Sequence, residues 1–204
     1  MAAMLMGAWS LQSCDNEPTK EVWLDEFGQD SCYVQDWGML EVNRSVVHTP
    51  LTVNGVVYER GLGAHSISRL LYDLDGKAVS ISGLAGADDK NLFAGKLQFK
   101  ILGDKKELWK SGVMQKGDPV KEFNVNLKGV DKVLLLVEEC GDGIMYDHAD
   151  WLNVKITTRG DVKPVPAWAK PVAKEKYILT PPAPESPVIN NPLVYGARPG
   201  NPFL

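Results

Sequence analysis

The stretch Tyr146-Asp147-His148-Ala149-Asp150-Trp151 decides the fold of this chain. It places two carboxylates, an imidazole and an indole within six residues. An apolar run at 133–137 and the glycine-rich turn Gly141-Asp142-Gly143 come just before it. A continuous apolar run of this length is typical of a central β-strand that is covered on both faces. We therefore expect the polar stretch to lie in a loop and at a strand end, beside the core of a β-sheet protein.

Segments of alternating apolar and polar residues flank this stretch. Period-two alternation predicts β-strands with one buried face. In the segment 151–157 it places Leu152, Val154 and Ile156 on one face of a strand. Asn54-Gly55 stands between two short apolar segments, which is a strong β-hairpin signal. The other alternating segments are 77–82, 96–102 and 122–127, and we find no pattern of a helix of three turns.

These segments predict one all-β domain. Turn signals recur about every ten residues, which favours a β-sandwich of about 130 to 140 residues. A domain of that size can bury a core without a metal or a disulfide. We place the sandwich at 21–159, after a leader and flexible tether at 1–20 and before a linker at 160–204. The linker holds ten of the 13 prolines, so we expect an extended, semi-rigid spacer toward a downstream domain.

The first thirteen residues are uncharged and mostly apolar. They are too few for a membrane span and resemble the core of a secretory signal. Leu11-Gln12-Ser13-Cys14 is similar to a bacterial lipobox, in which the cysteine is acylated after cleavage. On this interpretation Cys14 carries a lipid anchor, and the protein is extracytoplasmic, secreted or anchored in the periplasm or on the outer membrane. The alternative is an apolar tail without such a role, because no Lys or Arg precedes the run.

Charge and cysteine spacing narrow the classes of partner. A net charge of −4 without a basic run argues against nucleic acid and against an anionic membrane surface, which leaves a lipid anchor as the route to a membrane. Cys32 and Cys140 are either two buried free thiols or, in an oxidising compartment, a disulfide. The chain has no CxxC spacing, no GxSxG elbow and no nucleotide-binding fingerprint.

Several motifs follow one another along the chain in a distinctive order. They are Leu51-Thr-Val-Asn-Gly55 with Tyr58, Gly61-Leu-Gly-Ala-His-Ser66 with Ser68 and Tyr72, Gly86-Ala-Asp-Asp89, Phe99 with Leu108-Trp109 and Ser111, and Gly141-Asp-Gly143 through Asp147-His-Ala-Asp-Trp151. Taken together, they resemble one family, the NPCBM domain, a carbohydrate-binding module found near the N-termini of bacterial glycosidases. The resemblance covers roughly 21–159, and Ala87 departs from it where the family usually has a β-branched residue. The segment 194–204 is similar to the linker before an Ig-like domain in Bacteroides-type α-galactosidases.

The resemblance implies a galactose-binding-like jelly-roll β-sandwich that binds sugar without turning it over. The implied partner is a galactose-containing oligosaccharide or polysaccharide. The module would target an attached glycoside hydrolase, an α-galactosidase-like enzyme formed by its own downstream catalytic domain, to this substrate. The resemblance also implies a bound calcium ion.

A sugar site needs a flat apolar surface for one face of the ring and polar groups that bond neighbouring hydroxyls. Trp37 and Tyr146 are the stacking candidates, since both lie in loop-like segments. The hydrogen-bonding candidates are His65, Asp147, His148 and Asp150.

Structural roles compete with these assignments. Trp23, Trp109 and Trp151 begin or end alternating segments, so we assign them to the core. Either histidine of the candidate set could be structural instead, and His65 is placed to brace a carboxylate of the stretch 146–151.

Glycine-rich turns carry the candidate calcium ligands. We expect Gly83, Gly86 and Gly95 to punctuate one loop. Calcium takes six to eight oxygen ligands, backbone carbonyls among them. The alternative is a set of turn-forming aspartates, and no EF-hand pattern is present. The candidate ligands are Asp88, Asp89 and Asp142.

Two other functions stay open. A structural module would dock a neighbouring domain and pack Trp37 and Tyr146 under the proline-rich tail. An enzyme would use Asp147 and Asp150, because glycoside hydrolysis needs paired carboxylates. Residues three apart on a strand point to opposite faces, however, which is a poor start for a shared cleft. We therefore predict that this chain is not itself an enzyme.

Overall fold

A computed structural model of the protein describes residues 17–27, 33–93 and 95–164. The predicted leader with Cys14, the candidate thiol Cys32 and the predicted linker beyond residue 164 lie outside these residues. Leu24–Glu26 forms a 3-10 turn, and the described part holds no α-helix, as predicted. A membrane-spanning helix, which would have to be both long and apolar, is not found in the described ranges.

Fourteen β-strands make up most of the described chain, separated by turns. They are β1 (Lys20–Trp23), β2 (Tyr33–Gln35), β3 (Glu41–Val42), β4 (Leu51–Val53), β5 (Val56–Tyr58), β6 (Gly61–His65), β7 (Ser68–Asp73), β8 (Ala78–Ala87), β9 (Leu97–Gly103), β10 (Lys106–Met114), β11 (Lys121–Asn126), β12 (Lys132–Glu139), β13 (His148–Thr158) and β14 (Lys163–Pro164).

Two six-stranded sheets pack face to face as a sandwich. The first sheet has the order β11-β8-β13-β6-β3, and β1 pairs with the second half of β13. The second has the order β10-β9-β12-β7-β14, and β2 pairs with the first half of β7. Strands β4 and β5 form the separate hairpin that Asn54-Gly55 predicts. The predicted all-β sandwich is confirmed.

The core lies between the two sheets and centres on Trp151. Its indole is fully buried and meets Phe99 edge-on at 4.9 Å and Phe123 edge-on at 5.7 Å between ring centroids. Strand β12 runs between β9 and β7, and its residues 133–137 are buried, as expected for a central strand. Burial of large aromatic surface of this kind dominates the stability of a core.

The other two tryptophans assigned to the core lie elsewhere. Trp23 is half-buried in the short strand β1, and the guanidinium of Arg60 lies 4.4 Å from its ring centroid. Trp109 is half-buried at the margin of the core, 5.2 Å from Phe123. The predicted core position is therefore confirmed for Trp151 and is wrong for Trp23. Trp109 packs against the core but is less buried than predicted.

Strand β13 differs from the predicted strand in its start and in its alternation. It begins at His148, three residues before Trp151. Its pairing with β8 gains one residue between Leu152 and Lys155, and Asn153 there adopts a φ of 49°. Because a bulge adds one residue to the strand, the side chains after it point to the opposite face from the one that simple alternation predicts. Leu152 therefore packs outward against the β4–β5 hairpin, and not beside Val154 as the alternation predicts.

Strand β8 also departs from expectation, since it runs through Gly83 and Gly86, which we predicted in a loop. A Cβ at Gly86 would lie 2.6 Å from a methyl group of Val53 in the hairpin. Glycine is needed here because the hairpin backbone approaches the sheet closely.

The first and last strands of the described domain, β1 and β14, meet the sandwich at the end far from His148. Lys20 in β1 pairs with Thr158, the last residue of β13, and Lys163 in β14 pairs with Asp73, the last residue of β7. Ten residues of strand separate Thr158 from His148, about 33 Å. A cavity of about 360 Å³ lies at this far end, lined by Glu17, Gly76, Lys77, Ala78, Lys128, Gly129 and Arg159.

Replacing Trp151→Ala should lower the free energy of unfolding by about 3 to 5 kcal/mol, because it leaves a large cavity between Phe99 and Phe123. Urea denaturation followed by circular dichroism measures the loss. Trp23→Ala is the matched control, and we expect it to lose less than half as much because its ring is half-buried at the surface. Equal losses in the two variants would contradict this core.

Candidate functional site

Three aromatic rings meet at the end of the sandwich where β6 ends and β13 begins. His148 lies directly opposite His65 in the ladder, and the two ring centroids are 5.4 Å apart. Trp37, in the loop after β2, lies 4.8 Å from His65. Its indole is 5.7 Å from His148 with only 7° between the ring planes, so the two rings stack. We call these three residues the imidazole–indole cluster; it unites three of the predicted sugar-binding residues.

A side-chain amide ties the tryptophan to the first histidine. Gln35 donates from Nε2 to the carbonyl oxygen of Trp37 at 2.8 Å. The same amide accepts the backbone N–H of His65 at its Oε1, at 3.1 Å. Gln35 therefore fixes the loop that carries the indole against the strand that carries the imidazole.

A second amide fixes the other histidine. Asn91 is fully buried, accepts the backbone N–H of His148 at 2.9 Å and donates to its carbonyl at 3.0 Å. Neither Asn91 nor Gln35 was predicted as a site residue. The signal for Gln35 was a planar amide two positions before a candidate tryptophan. Asn91 gave no such signal, because its partner is 57 residues away in the chain.

Both imidazoles of the cluster are neutral. Burial lowers the pKa of His65 to about 3, and burial also lowers the pKa of His148. Nδ1 of His65 lies 2.6 Å from the carbonyl oxygen of Ser66. A carbonyl can only accept, so Nδ1 carries the proton and Nε2 is left as a hydrogen-bond acceptor. The cluster can therefore exchange hydrogen bonds with an uncharged hydroxyl without burying a charge.

Asp147 is held next to the cluster by Ser66. The hydroxyl of Ser66 donates to Oδ2 of Asp147 at 2.5 Å, and the other oxygen, Oδ1, is buried without a partner. Burial is the main cause that raises the pKa of Asp147 to about 7; the Ser66 bond lowers the pKa in part, and the nearby charges of Asp142 and Glu139 add to the rise. The brace we expected from His65 is therefore supplied by its neighbour Ser66.

Asp150 is fully buried under the β4–β5 hairpin, beside the buried Asp88. Burial, and then the charge of Asp88, raises the pKa of Asp150 well above its usual value. Both oxygens of Asp150 and one oxygen of Asp88 are buried without a hydrogen-bond partner. We therefore correct the predicted sugar contact of Asp150 to a supporting role, because β13 starts early and the hairpin covers this face.

The predicted calcium ligands do not form one set. Asp89 accepts the backbone N–H groups of Asn54 at 3.0 Å and Gly55 at 2.7 Å, one on each oxygen, so it stabilises the hairpin turn. Asp142 is exposed in the turn before β13. In the ranges 17–27, 33–93 and 95–164, no three His, Cys, Asp or Glu side chains gather as metal ligands do. The trio with Asp88 therefore does not fit a calcium ion by itself.

Two further predicted residues lie apart from the cluster. Tyr146 is half-buried and packs edge-on against Phe93, with ring centroids 5.0 Å apart. Cys140 is half-buried just after β12, and burial raises the pKa of its thiol. Cys32 is outside the described residues, so the two alternatives, free thiols or a disulfide between Cys32 and Cys140, both stay predictions.

Comparison with known proteins bears out the predicted family and fold. The model of the NPCBM/NEW2 domain matches residues 20–157. The CBM51 of Clostridium perfringens GH95, solved in complex with methyl-galactose, is 25% identical with a TM-score of 0.61; the match covers 67% of this chain and 99% of that one. The M60 catalytic domain with two CBM51 domains from C. perfringens ZmpB is 28% identical with a TM-score of 0.62, over 69% of this chain and 15% of that one.

A curated relative is larger than this chain. Alpha-1,3-galactosidase B of Akkermansia muciniphila is 29% identical over 130 residues, which are 62% of this chain and 16% of that protein. The chain spans about a sixth or less of the length of the curated relatives it matches.

The buried Asp147 should give the protein a pH-dependent stability. Its pKa is raised in the folded state, so its stabilising contribution is fully present below about pH 4 and is lost as the pH rises through about 7. When the pH rises from 5 to 8, the free energy of unfolding of wild type should fall by about 1 kcal/mol more than that of Asp147→Asn. This value includes a reduction for partial solvent screening. Urea denaturation at the two pH values measures this difference.

Asp142→Asn is the control, since it removes a neighbouring carboxylate that is exposed. This variant should keep most of the wild-type pH dependence. If Asp147→Asn showed the full wild-type dependence, the raised pKa of Asp147 would be contradicted.

Proposed function

The chain belongs to the NPCBM/NEW2 domain family, and from that premise we propose that it is a non-catalytic carbohydrate-binding module for galactose-containing glycans. The observation that carries the proposal is the imidazole–indole cluster, in which Trp37 lies against two neutral histidines and stacks on His148. The similarity to a CBM51 that was solved with methyl-galactose supports the choice of sugar.

The cluster offers both kinds of contact that a pyranose needs. The partly exposed indole of Trp37 supplies an apolar surface for the C–H face of the ring. Nε2 of His65 accepts a hydrogen bond from one hydroxyl, and the imidazole of His148 serves a neighbouring hydroxyl. The site binds weakly, because a shallow contact with one sugar recovers little beyond the entropy lost on association.

We propose that the module acts by targeting an attached catalytic domain to its substrate. Linking a binder to an enzyme raises the local concentration of substrate without changing the chemistry. Lys20 and Lys163 lie at the end of the sandwich far from the cluster, so the cluster points away from the chain connections. The relative named as an α-1,3-galactosidase supports a glycosidase as the downstream domain. An extracytoplasmic location, with Cys14 as a lipid anchor, belongs to the same proposal.

The arrangement of the carboxyls argues against catalysis by this domain. Glycoside hydrolysis needs two carboxyls that flank one bond of the sugar. Asp150 is fully buried beside Asp88, out of reach of a ligand on the surface. The alternative function, a docking module, would need the proline-rich tail to pack on Trp37, and that tail is outside the described residues. Among the described residues, Trp37 packs against the two histidines.

Titration calorimetry of the full chain with methyl galactoside tests the proposal. We expect millimolar binding in wild type and a loss of at least about tenfold in Trp37→Ala, which removes the stacking surface. Trp23→Ala is the matched control and should bind like wild type, because its half-buried indole lies at the far end of the sandwich.

Absence of binding in wild type at high millimolar sugar would overturn the proposal. Equal binding by Trp37→Ala and wild type would overturn the location of the site. Release of product from an aryl galactoside by the same sample, lost in Asp147→Asn, would instead make the chain an enzyme.

Calcium stays a prediction that thermal unfolding can test. The buried oxygens without a partner on Asp88 and Asp150 would suit either a shared proton or a cation. If calcium binds at this pair, the melting temperature at pH 7 should be several degrees higher in millimolar calcium than in EDTA. Melting temperatures that agree within about 2 °C would contradict a bound ion. A rise of several degrees in calcium that is absent in Asp88→Asn would show a bound ion at this pair.

A further inference from the structure

Four apolar side chains form an exposed ledge next to the imidazole–indole cluster. They belong to Leu92, Phe93, Met145 and Tyr146, and we call them the apolar ledge. Leu92 is 72% exposed, Phe93 67% and Met145 41%, while Tyr146 is half-buried and braces the ring of Phe93 edge-on. Among the described residues Phe93 is the only Phe, Tyr or Trp side chain that is exposed. Contiguous exposed apolar surface of this kind marks an interaction site.

The ledge is continuous with the cluster because the same two segments carry both. Residues 91–93 and Gly95 lie beside the segment 145–148. Asn91 is bonded to His148 on both its backbone groups, and Phe93 meets Tyr146 two residues further along each segment. A Cβ at Gly95 would collide with Asp147, so this position must stay small for the segments to lie together. Tyr146 is two residues from His148 in the chain, and two residues span at most about 7 Å. The ledge therefore begins at a distance from His148 that is similar to the length of one sugar residue.

The backbone at Tyr146 is also unusual. Its φ of 63° lies in the left-handed region, which bulky non-glycine residues rarely adopt. Such conformations are fixed by the surrounding structure and occur often at ligand-binding sites. The tyrosine ring is placed against Phe93, and together they present an apolar surface with one phenolic hydroxyl.

We propose that the apolar ledge is a second sugar subsite, which holds the residue linked to the galactose in the imidazole–indole cluster. This inference rests on the proposed function and deepens it. The ring of Phe93 takes the C–H face of the second sugar, and Tyr146 supports that ring from its edge. The ligand class is therefore an extended galactoside of at least two residues, and not a single galactose.

Calorimetry with methyl galactoside, lactose and galactosyl-α-1,3-galactose on the full chain tests the inference. We expect at least one disaccharide to bind about 3- to 10-fold more tightly than methyl galactoside. In Phe93→Ala that advantage should disappear while methyl galactoside binds within about twofold of wild type. Phe93→Tyr should retain the advantage because it keeps the ring. Val113→Ala, an exposed apolar residue of β10, is the control and should behave like wild type.

The outcomes separate the two proposals. If wild type does not bind methyl galactoside or either disaccharide, the proposed function and the second subsite both fall. If methyl galactoside binds and neither disaccharide gains, or if Phe93→Ala keeps the gain, the second subsite alone falls. Sedimentation velocity adds a further outcome: a wild-type dimer that Phe93→Ala dissociates would make the ledge a contact between two copies and overturn the inference.

Discussion

The alternation of side chains along β13 is the constraint on which both the core and the site depend. Ala149 and Trp151 point between the sheets, while His148 and Asp150 point to the other face. β13 lies between β8 and β6 in the first sheet, so its register is fixed on both sides. A slip of one residue would expose the Trp151 indole and bury His148 in an apolar core. The burial of one tryptophan therefore sets the position of the imidazole next to Trp37.

Two buried amides and two neutral imidazoles form the polar part of the site. Gln35 and Asn91 each use both ends of an amide to hold the backbone beside a functional side chain. The two histidines stay uncharged because burial lowers their pKa values. Such a site offers little to an ionic ligand, since a charge would be desolvated without a counterion. A sugar hydroxyl, which both donates and accepts, suits it.

The sequence predicted the features that local pattern controls. The Asn54-Gly55 hairpin, the central strand at 133–137 and the burial of Trp151 all follow from turn chemistry and hydrophobic period. The sequence did not predict the burial of Asp150, because that burial depends on the β4–β5 hairpin, which lies far earlier in the chain and folds over this face. The bulge at Asn153 and the strand through Gly86 were missed for a similar reason, since close packing against β8 and Val53 decides them. The order of the motifs identified the family. The hydrogen bonds from Asn91 to His148 are a tertiary contact, and no sequence motif predicts them.

Whether a galactoside contacts the imidazole–indole cluster is decided most directly by NMR of the side-chain signals during a titration. The chain has six tryptophans, so each indole N–H signal can be followed separately. We predict that the indole signal of Trp37 and the ring signals of His65 and His148 shift with one shared binding curve. The indole signals of Trp23 and Trp151 should stay in place. Shifts at Trp23 without shifts at Trp37, or no shift at all with saturating methyl galactoside, would contradict the assignment of the site.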